Sequence, residues 1–294
     1  MPLTYATRVA WQNRMLLMPA FVLLVCFILI PAGAAIYISF TNDALSGAAA
    51  AHPQFVGLRN YVRLFSDAGF WNSLVVTCIF VFGSSIVGQF VLGLASAMAL
   101  SRPIALRPLF NAAILLPNAV PEVVAGFIWI SMLAGGKYST VSRIVGLFGV
   151  APQNWLETVP LLMIVVVNTW RGIAFAMILM TSGLSAVPAE VYEAARMDGA
   201  TARQIFWRIT MPLLRPTIFL YMLVSTAGTI AIFGLVYTLT RGGPGGATEI
   251  IGIYIYNQSF TAYQLGYGSA VAVVVLGVSV VFGAIYVRAL KVEV

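Results

Sequence analysis

Long apolar runs separated by short polar breaks dominate this chain of 294 residues. The runs cover residues 15–40, 71–100, 110–133, 160–184, 217–239 and 265–287. Each is long enough for a helix to cross a hydrocarbon core, which takes roughly 20 residues. A bilayer leaves no water for unpaired backbone groups, and the runs lack the strict alternation of a membrane barrel, so they predict helices. The pattern therefore predicts an all-α integral membrane protein with six transmembrane helices, folded as a single transmembrane domain over residues 1–294. Ala32-Gly33-Ala34 resembles a signal-peptidase site. The first run continues well past it, beyond the roughly 7–15 apolar residues of a signal core, and so predicts a retained span.

The polar breaks are unequal. Residues 41–70, 134–159 and 240–264 predict large loops on one side, and 101–108 a tight basic turn on the other. The longest polar interruption, residues 186–216, holds Arg196, Arg203, Arg208, Arg215, Glu190, Glu193 and Asp198, out of sixteen basic and nine acidic residues in the whole chain. Its stop and start signals predict two short helices. Pro188 suits a first helical position, and Glu190 lies in the first turn, where the helix dipole favours an acid. Asp198-Gly199 ends that helix, with glycine taking the left-handed conformation. Thr201 with Gln204 reads as a capping box, and Ile205, Phe206 and Ile209 form an apolar stripe on the second helix. Such a helix–turn–helix between spans four and five could also be an amphipathic segment resting among lipid headgroups.

Composition and charge agree with a membrane protein. The chain is 61% hydrophobic and 9% charged, against roughly 25% charged in soluble domains. The net charge of +7 forms no long basic run, so nucleic acid is not an expected partner. The basic residues flank the spans instead. Arg8, Arg14, Arg102, Arg107, Arg196, Arg203, Arg208, Arg215, Arg288 and Lys291 fall on one side, and Arg59, Arg63, Lys137, Arg143 and Arg241 on the other. Ten against five places the first side, with both termini, in the cytoplasm. Trp71 and Trp155 then mark the outer interface, and Trp11 and Trp207 the inner one. Cys26 and Cys78 lie inside apolar runs, which argues against a disulfide framework. His52 has no second ligand nearby, so no metal site is expected.

Candidate chemistry is sparse. The chain has no G-x-x-x-x-G-K-[ST] phosphate loop, so it is not expected to hydrolyse ATP. The glycine-rich 241–246 stretch lacks the lysine. Within the spans, Glu122 follows Pro117 and Pro121, and Arg171 sits in Asn168-Thr169-Trp170-Arg171-Gly172. Intramembrane charges mark solute or ion routes by default. A polyhydroxylated solute needs donors, acceptors and aromatic faces, which Asn118, Glu122, Asn168, Trp170, Arg171, Thr229 and Tyr237 supply. The competing reading is an internal Glu122–Arg171 ion pair, or an arginine reaching for the interface. Small residues four apart, Ser84/Gly88, Gly93/Ala97, Gly268/Ala272 and Ser279/Gly283, predict close helix approach.

Glu193-Ala194-Ala195, Gly199, Ile209 and Met211-Pro212 at their spacing resemble the EAA loop of permease subunits of ATP-binding cassette (ABC) importers, with methionine where leucine is usual before the proline. Asn72-Ser73-Leu74, Gly93-Leu94-Ala95, Leu116-Pro117 with Trp129, Trp155-Leu156 and the 254–268 segment extend the resemblance to the carbohydrate-type members, over about residues 55–287. The resemblance implies a multi-pass protein of the bacterial cytoplasmic membrane. Its partners would be a second homologous permease, two copies of an ATPase that binds ATP and magnesium, and an extracytoplasmic solute-binding protein. It also implies that Glu190, Tyr192, Glu193, Ala194, Ala195, Arg196, Asp198 and Gly199 dock on the ATPase, with Gly199 as the turn. No cofactor is expected on this chain. A self-sufficient ion-coupled carrier using Glu122, and a structural scaffold, are the alternatives. Six spans without an evident repeat fit the carrier poorly.

Overall fold

The structure is a computed structural model that describes residues 5–101, 103–136 and 139–289. The expectations at Arg102, Lys137 and Lys291 lie outside these residues, and of Arg8 and Arg14 only the backbone is described. The described residues are helical throughout, apart from turns and one isolated bridge between Thr41 and Phe55. Four continuous helices are long and apolar enough to cross a membrane: Met15–Ser39, Ala68–Leu100, Pro160–Ser185 and Leu265–Tyr286. Up to six spans result when two bent helix pairs, Arg107–Ala119 with Glu122–Leu133 and Ala202–Leu213 with Arg215–Ile230, each count as one.

The bend in the third run has a local cause. The third apolar run is split into Arg107–Ala119 and Glu122–Leu133, which meet at 107°. Pro121 lacks an N–H and drives Val120 into an extended conformation (ψ 128°), so the first helix cannot continue. The fifth run also differs from the continuous helix its apolar pattern predicts. Its helix, Arg215–Ile230, spans 16 residues or about 24 Å, short of the hydrocarbon core. The chain then breaks and resumes as Gly234–Thr240. No proline marks this break. Beyond it, Gly234 lies against Glu122, where an added Cβ would sit 3.1 Å from the carboxylate Oε2.

The chain divides into two compact units, Met1–Asp67 with Ile255–Val278 and Ala68–Tyr254 with Ser279–Val294. In the first, the 41–67 segment is pinned by Asn60, whose Nδ2 donates to the carbonyls of Ser39 and Thr41 at 2.9 and 2.8 Å. Arg63 donates to Gln264 Oε1 at 2.6 Å and stacks over Tyr267 at 4.2 Å. Tyr267 in turn donates to Asp67 at 2.8 Å.

In the second unit the Pro160–Ser185 helix is the mast. Its first half joins an apolar cluster through Ile164 and Val167, with Val76, Phe80, Leu133, Leu235 and Ile253. Its second half joins another through Ala176, Met177 and Met180, with Leu94, Leu100, Leu214 and Tyr221. The Ala68–Leu100 helix lies close along it because glycine removes the obstructing side chains. A Cβ on Gly88 would meet Thr169 Oγ1 at 2.5 Å, one on Gly93 would strike Ala176, and one on Gly172 would strike Gln89. The small-residue pairs Ser84/Gly88 and Gly93/Ala97 are thus contacts within the chain, whereas a Cβ on Gly283 would meet nothing within 4 Å.

Between the two apolar clusters runs a polar belt. The Ala68–Leu100 helix widens into π-type turns over Val81–Gln89, a distortion that re-aims side chains. Asn168 Nδ2 donates to Ser84 Oγ at 2.8 Å, and Gln89 Nε2 donates to the Asn168 carbonyl at 3.0 Å. Ser225 Oγ donates to Gln89 Oε1 at 3.2 Å, the Ser85 and Ser225 hydroxyls lie 2.6 Å apart, and Tyr221 donates to the Ser85 carbonyl at 2.8 Å. Three helices are therefore tied by groups that would each be costly if left alone in an apolar setting.

Two substitutions check this packing. Gly93→Leu should lower the melting midpoint of the detergent-solubilised protein by several degrees, since overpacking costs about 1–3 kcal/mol or more. Gly33→Ala, with open space around it, should leave the midpoint unchanged. Gln89→Leu should destabilise by about 1–3 kcal/mol for each partner left unsatisfied, read as the same midpoint. An unchanged midpoint in Gly93→Leu and Gln89→Leu would contradict the arrangement.

Candidate functional site

Two places carry polar groups that the fold itself does not use up. The first is the elbow between the fourth and fifth spans. Ala189–Met197 forms the first helix, with Pro188 as its N-cap, one position earlier than its expected place inside the helix. Proline is suited to either position because the terminal N–H has no helical partner. Asp198 is the C-cap, and Gly199 takes a left-handed φ of 75°. The N–H of Gly199 reaches the Arg196 carbonyl and that of Ala200 the Ala195 carbonyl, both at 3.0 Å, a double closure typical of glycine-ended helices. Thr201 then opens the second helix, Ala202–Leu213, through the full capping box with Gln204. Thr201 N–H donates to Gln204 Oε1 at 2.8 Å, and Gln204 N–H to Thr201 Oγ1 at 3.4 Å.

The two helices present different faces. Phe206, Met211 and Leu214 pack against the apolar cluster around Tyr221. Ile205, Phe206 and Ile209 are half-buried, Ala195 is buried and Tyr192 half-buried. Glu190, Glu193, Ala194, Arg196, Asp198 and Gly199 are exposed. Among the described residues none of these acids or arginines forms an ion pair. Met197 is 87% exposed, the largest apolar exposure on the elbow and one the sequence reading missed. An apolar residue closing an otherwise charged helix was the available signal. The turn also frames a hollow of about 250 Å³ lined by Asp198, Gly199, Gln204 and Arg208.

The second place is the break in the third run. Glu122 opens the Glu122–Leu133 helix in its first turn, where the dipole favours a negative group. Arg171 Nη1 reaches Glu122 Oε1 at 3.1 Å, the ion pair weighed above for these two residues. The two side chains are 33% and 21% exposed, Glu122 the more open. Trp170 meets Trp129 edge to face with ring centroids 5.5 Å apart. The structure thus brings together Glu122, Trp170 and Arg171, and adds Trp129.

The remaining candidates lie elsewhere. Asn168 is buried and engaged with Ser84 in the polar belt. Thr229 is buried in the last turn of the Arg215–Ile230 helix. Tyr237 stacks on Phe233 at 5.0 Å, beyond the break. Asn118 is exposed at the end of the Arg107–Ala119 helix. Among the described residues no group of three or more His, Cys, Asp or Glu side chains converges as a metal site would require.

Known proteins match both the sequence and this fold. The family model described as a binding-protein-dependent transport system inner membrane component matches residues 89–290. The trehalose/maltose transport system permease protein of Thermococcus litoralis is 32% identical over 96% of this chain and 94% of its own length. The sn-glycerol-3-phosphate transport system permease protein of Agrobacterium fabrum is 32% identical over 93% and 92%. A chain from the crystal structure of a bacterial alginate ABC transporter, bound to a periplasmic protein carrying alginate pentasaccharide, shares the fold over the full length of both chains. Its TM-score is 0.81 at 18% identity. With more than half its length matched and a relative above 30% identity, the chain belongs to the family of binding-protein-dependent transport system inner membrane components.

Proposed function

We propose that this chain is one of two permease subunits of an ABC importer for a sugar or sugar-like solute, driven through its elbow by a separate ATPase. The observation that carries the proposal is the elbow itself. A doubly capped helix–turn–helix is fixed to the body by Phe206, Met211 and Leu214, yet leaves Glu190, Glu193, Arg196 and Asp198 exposed and unpaired within the described chain. Rigid attachment on one face and open charge on the other suit a lever that transmits a push. The relatives supply the solute class, since they are permeases for trehalose/maltose, sulfoquinovosyl glycerol, starch degradation products and glycerol phosphate.

The assembly follows from the same relationship. A second homologous permease completes the pathway, two ATPase copies bind ATP and magnesium, and a solute-binding protein delivers cargo from outside. The elbow and both termini face the cytoplasm, a reading supported by the ten-to-five split of basic residues. Glu190, Tyr192, Glu193, Ala194, Ala195, Arg196, Asp198 and Gly199 form the docking element, with Met197 as an apolar contact beside them. ATP binding draws the two ATPases together, pulls the elbows with them and rocks the spans toward the outward-open state. Hydrolysis resets the inward-open state. Such coupling requires that the ATPase contact the elbow differently in the two states. Within the spans, Glu122, Trp170 and Arg171 flank the solute route, with Asn118, Asn168, Thr229 and Tyr237 along its length.

Charge reversal at the elbow tests the docking role. Glu193→Arg, in the complete importer, should reduce solute uptake by about tenfold or more and weaken ATPase association, as expected when one partner of an interfacial charge pair is reversed. The variant should keep its melting midpoint, because Glu193 is exposed. Undiminished uptake with normal ATPase association would overturn the docking role.

A further inference from the structure

Within the second unit, buried polar hydrogen-bonding groups are met almost everywhere. Three side-chain atoms among the described residues are exceptions: Trp129 Nε1, Arg171 Nε and Thr226 Oγ1, each shielded from solvent and without a partner. Two of the three belong to the crossing of the Glu122–Leu133 and Pro160–Ser185 helices. There Arg171 already spends Nη1 on Glu122 Oε1, and Trp129 rests its ring against Trp170. Buried donors without acceptors are costly and uncommon. Both of these can only donate, since neither an indole nor a guanidinium accepts.

The acceptor at this crossing is Glu122. Its Oε1 holds Arg171, and no hydrogen bond is recorded to its Oε2, which faces the backbone of Gly234 at the break in the fifth run. The absence of a side chain at Gly234 keeps that approach clear. The crossing therefore presents two donors and one carboxylate oxygen, with the arginine's charge already matched by the glutamate. A hydroxyl both donates and accepts, so a polyhydroxylated solute suits the donors and the carboxylate oxygen alike. An anionic oxygen only accepts. It could serve the donors but would face Glu122, or would have to displace it and leave that carboxylate without its cation.

We propose that Glu122 and Trp129 set the charge class of the solute: the Glu122–Arg171 pair and the Trp129 indole select an uncharged polyhydroxylated molecule and discriminate against a carboxylate, phosphate or sulfonate of the same shape. This rests on the importer reading and narrows it, because the relatives' names include both neutral and anionic cargo. In the conformation described here the two donors are closed off. They gain acceptors when the broken segments part to admit the solute, so their unmet bonds weigh against the empty closed state. Trp129 is a specificity residue that touches solute, and Glu122 acts both on the solute and on Arg171.

The test uses the complete importer in lipid nanodiscs, with methyl α-glucoside and methyl α-glucuronide as probes, which differ by a hydroxymethyl against a carboxylate. Saturation-transfer NMR and competition give the relative affinities, free of the binding protein's own selection. Wild type should prefer the glucoside. Glu122→Gln should shift the preference toward the glucuronide by about tenfold or more, as expected when an arginine within the membrane loses its counter-charge. Trp129→Phe keeps the ring and removes the N–H, and should weaken glucoside binding about three- to tenfold, the usual worth of one hydrogen bond. An unchanged preference in Glu122→Gln, or unchanged glucoside affinity in Trp129→Phe, would overturn the proposal, and the second variant decides the matter if the first does not assemble. Stimulation of ATP hydrolysis by the loaded binding protein is measured alongside. If that is absent in wild type, the importer reading fails; if it is present and the preference is flat, only the charge selection fails.

Discussion

In an apolar surround, a polar group must find its answer inside the protein, and this requirement shapes the second unit. The Pro160–Ser185 helix carries an apolar cluster at each end and a polar belt between them. Asn168, Ser84, Gln89, Ser225 and Tyr221 satisfy one another across three helices. Such a belt works only if the helices approach closely, and Gly88, Gly93 and Gly172 permit that approach. Hydrogen bonds and small-residue contacts take over here the role that water exclusion has in soluble proteins, since lipid tails are as apolar as the side chains they meet. The π-type widening at Val81–Gln89 belongs to the same solution, turning Ser84 toward one neighbour and Ser85 toward another.

Against this saturated belt, the places left unsaturated stand out. The elbow holds exposed charges with no partner in the described chain, on a scaffold capped at both helix junctions. The crossing at Glu122 holds an ion pair beside two donors that lack acceptors. Of these two places, we assign the first to the ATPase and the second to the solute. They are linked through continuous structure: the elbow's second helix turns by 64° into Arg215–Ile230, whose Tyr221 and Ser225 join the belt that also holds Asn168, three residues before Arg171. The elbow is thus continuous with the packed helices that carry the ion pair.

The features legible in the sequence were those with local causes. Six apolar runs, the Pro117–Pro121 interruption, the glycine turn at 199 and the Thr201–Gln204 capping box all arise from residues near one another in the chain, and the structure carries each of them. The break after Ile230 was not legible, because no proline marks it; beyond it Gly234 lies against Glu122, more than a hundred residues away in the chain. Asn168 was read as a donor and acceptor for a solute, and nothing near it in the sequence shows that its amide donates to Ser84 on another helix. Gln89, a second amide inside an apolar run, was not singled out in the sequence and is the joint of the belt. Trp129 could not be told from an ordinary buried aromatic until its unmet N–H was seen.

The most direct test of the account asks which side of the membrane the elbow faces and what covers it. With Cys26 and Cys78 replaced by serine, Ala200→Cys places a single thiol beside the Gly199 turn. The account predicts that a membrane-impermeant maleimide labels it in inside-out vesicles stripped of ATPase, fails to label it in intact cells, and is blocked when the purified ATPase is added back. Labelling from the outer face, or labelling indifferent to the ATPase, would contradict it.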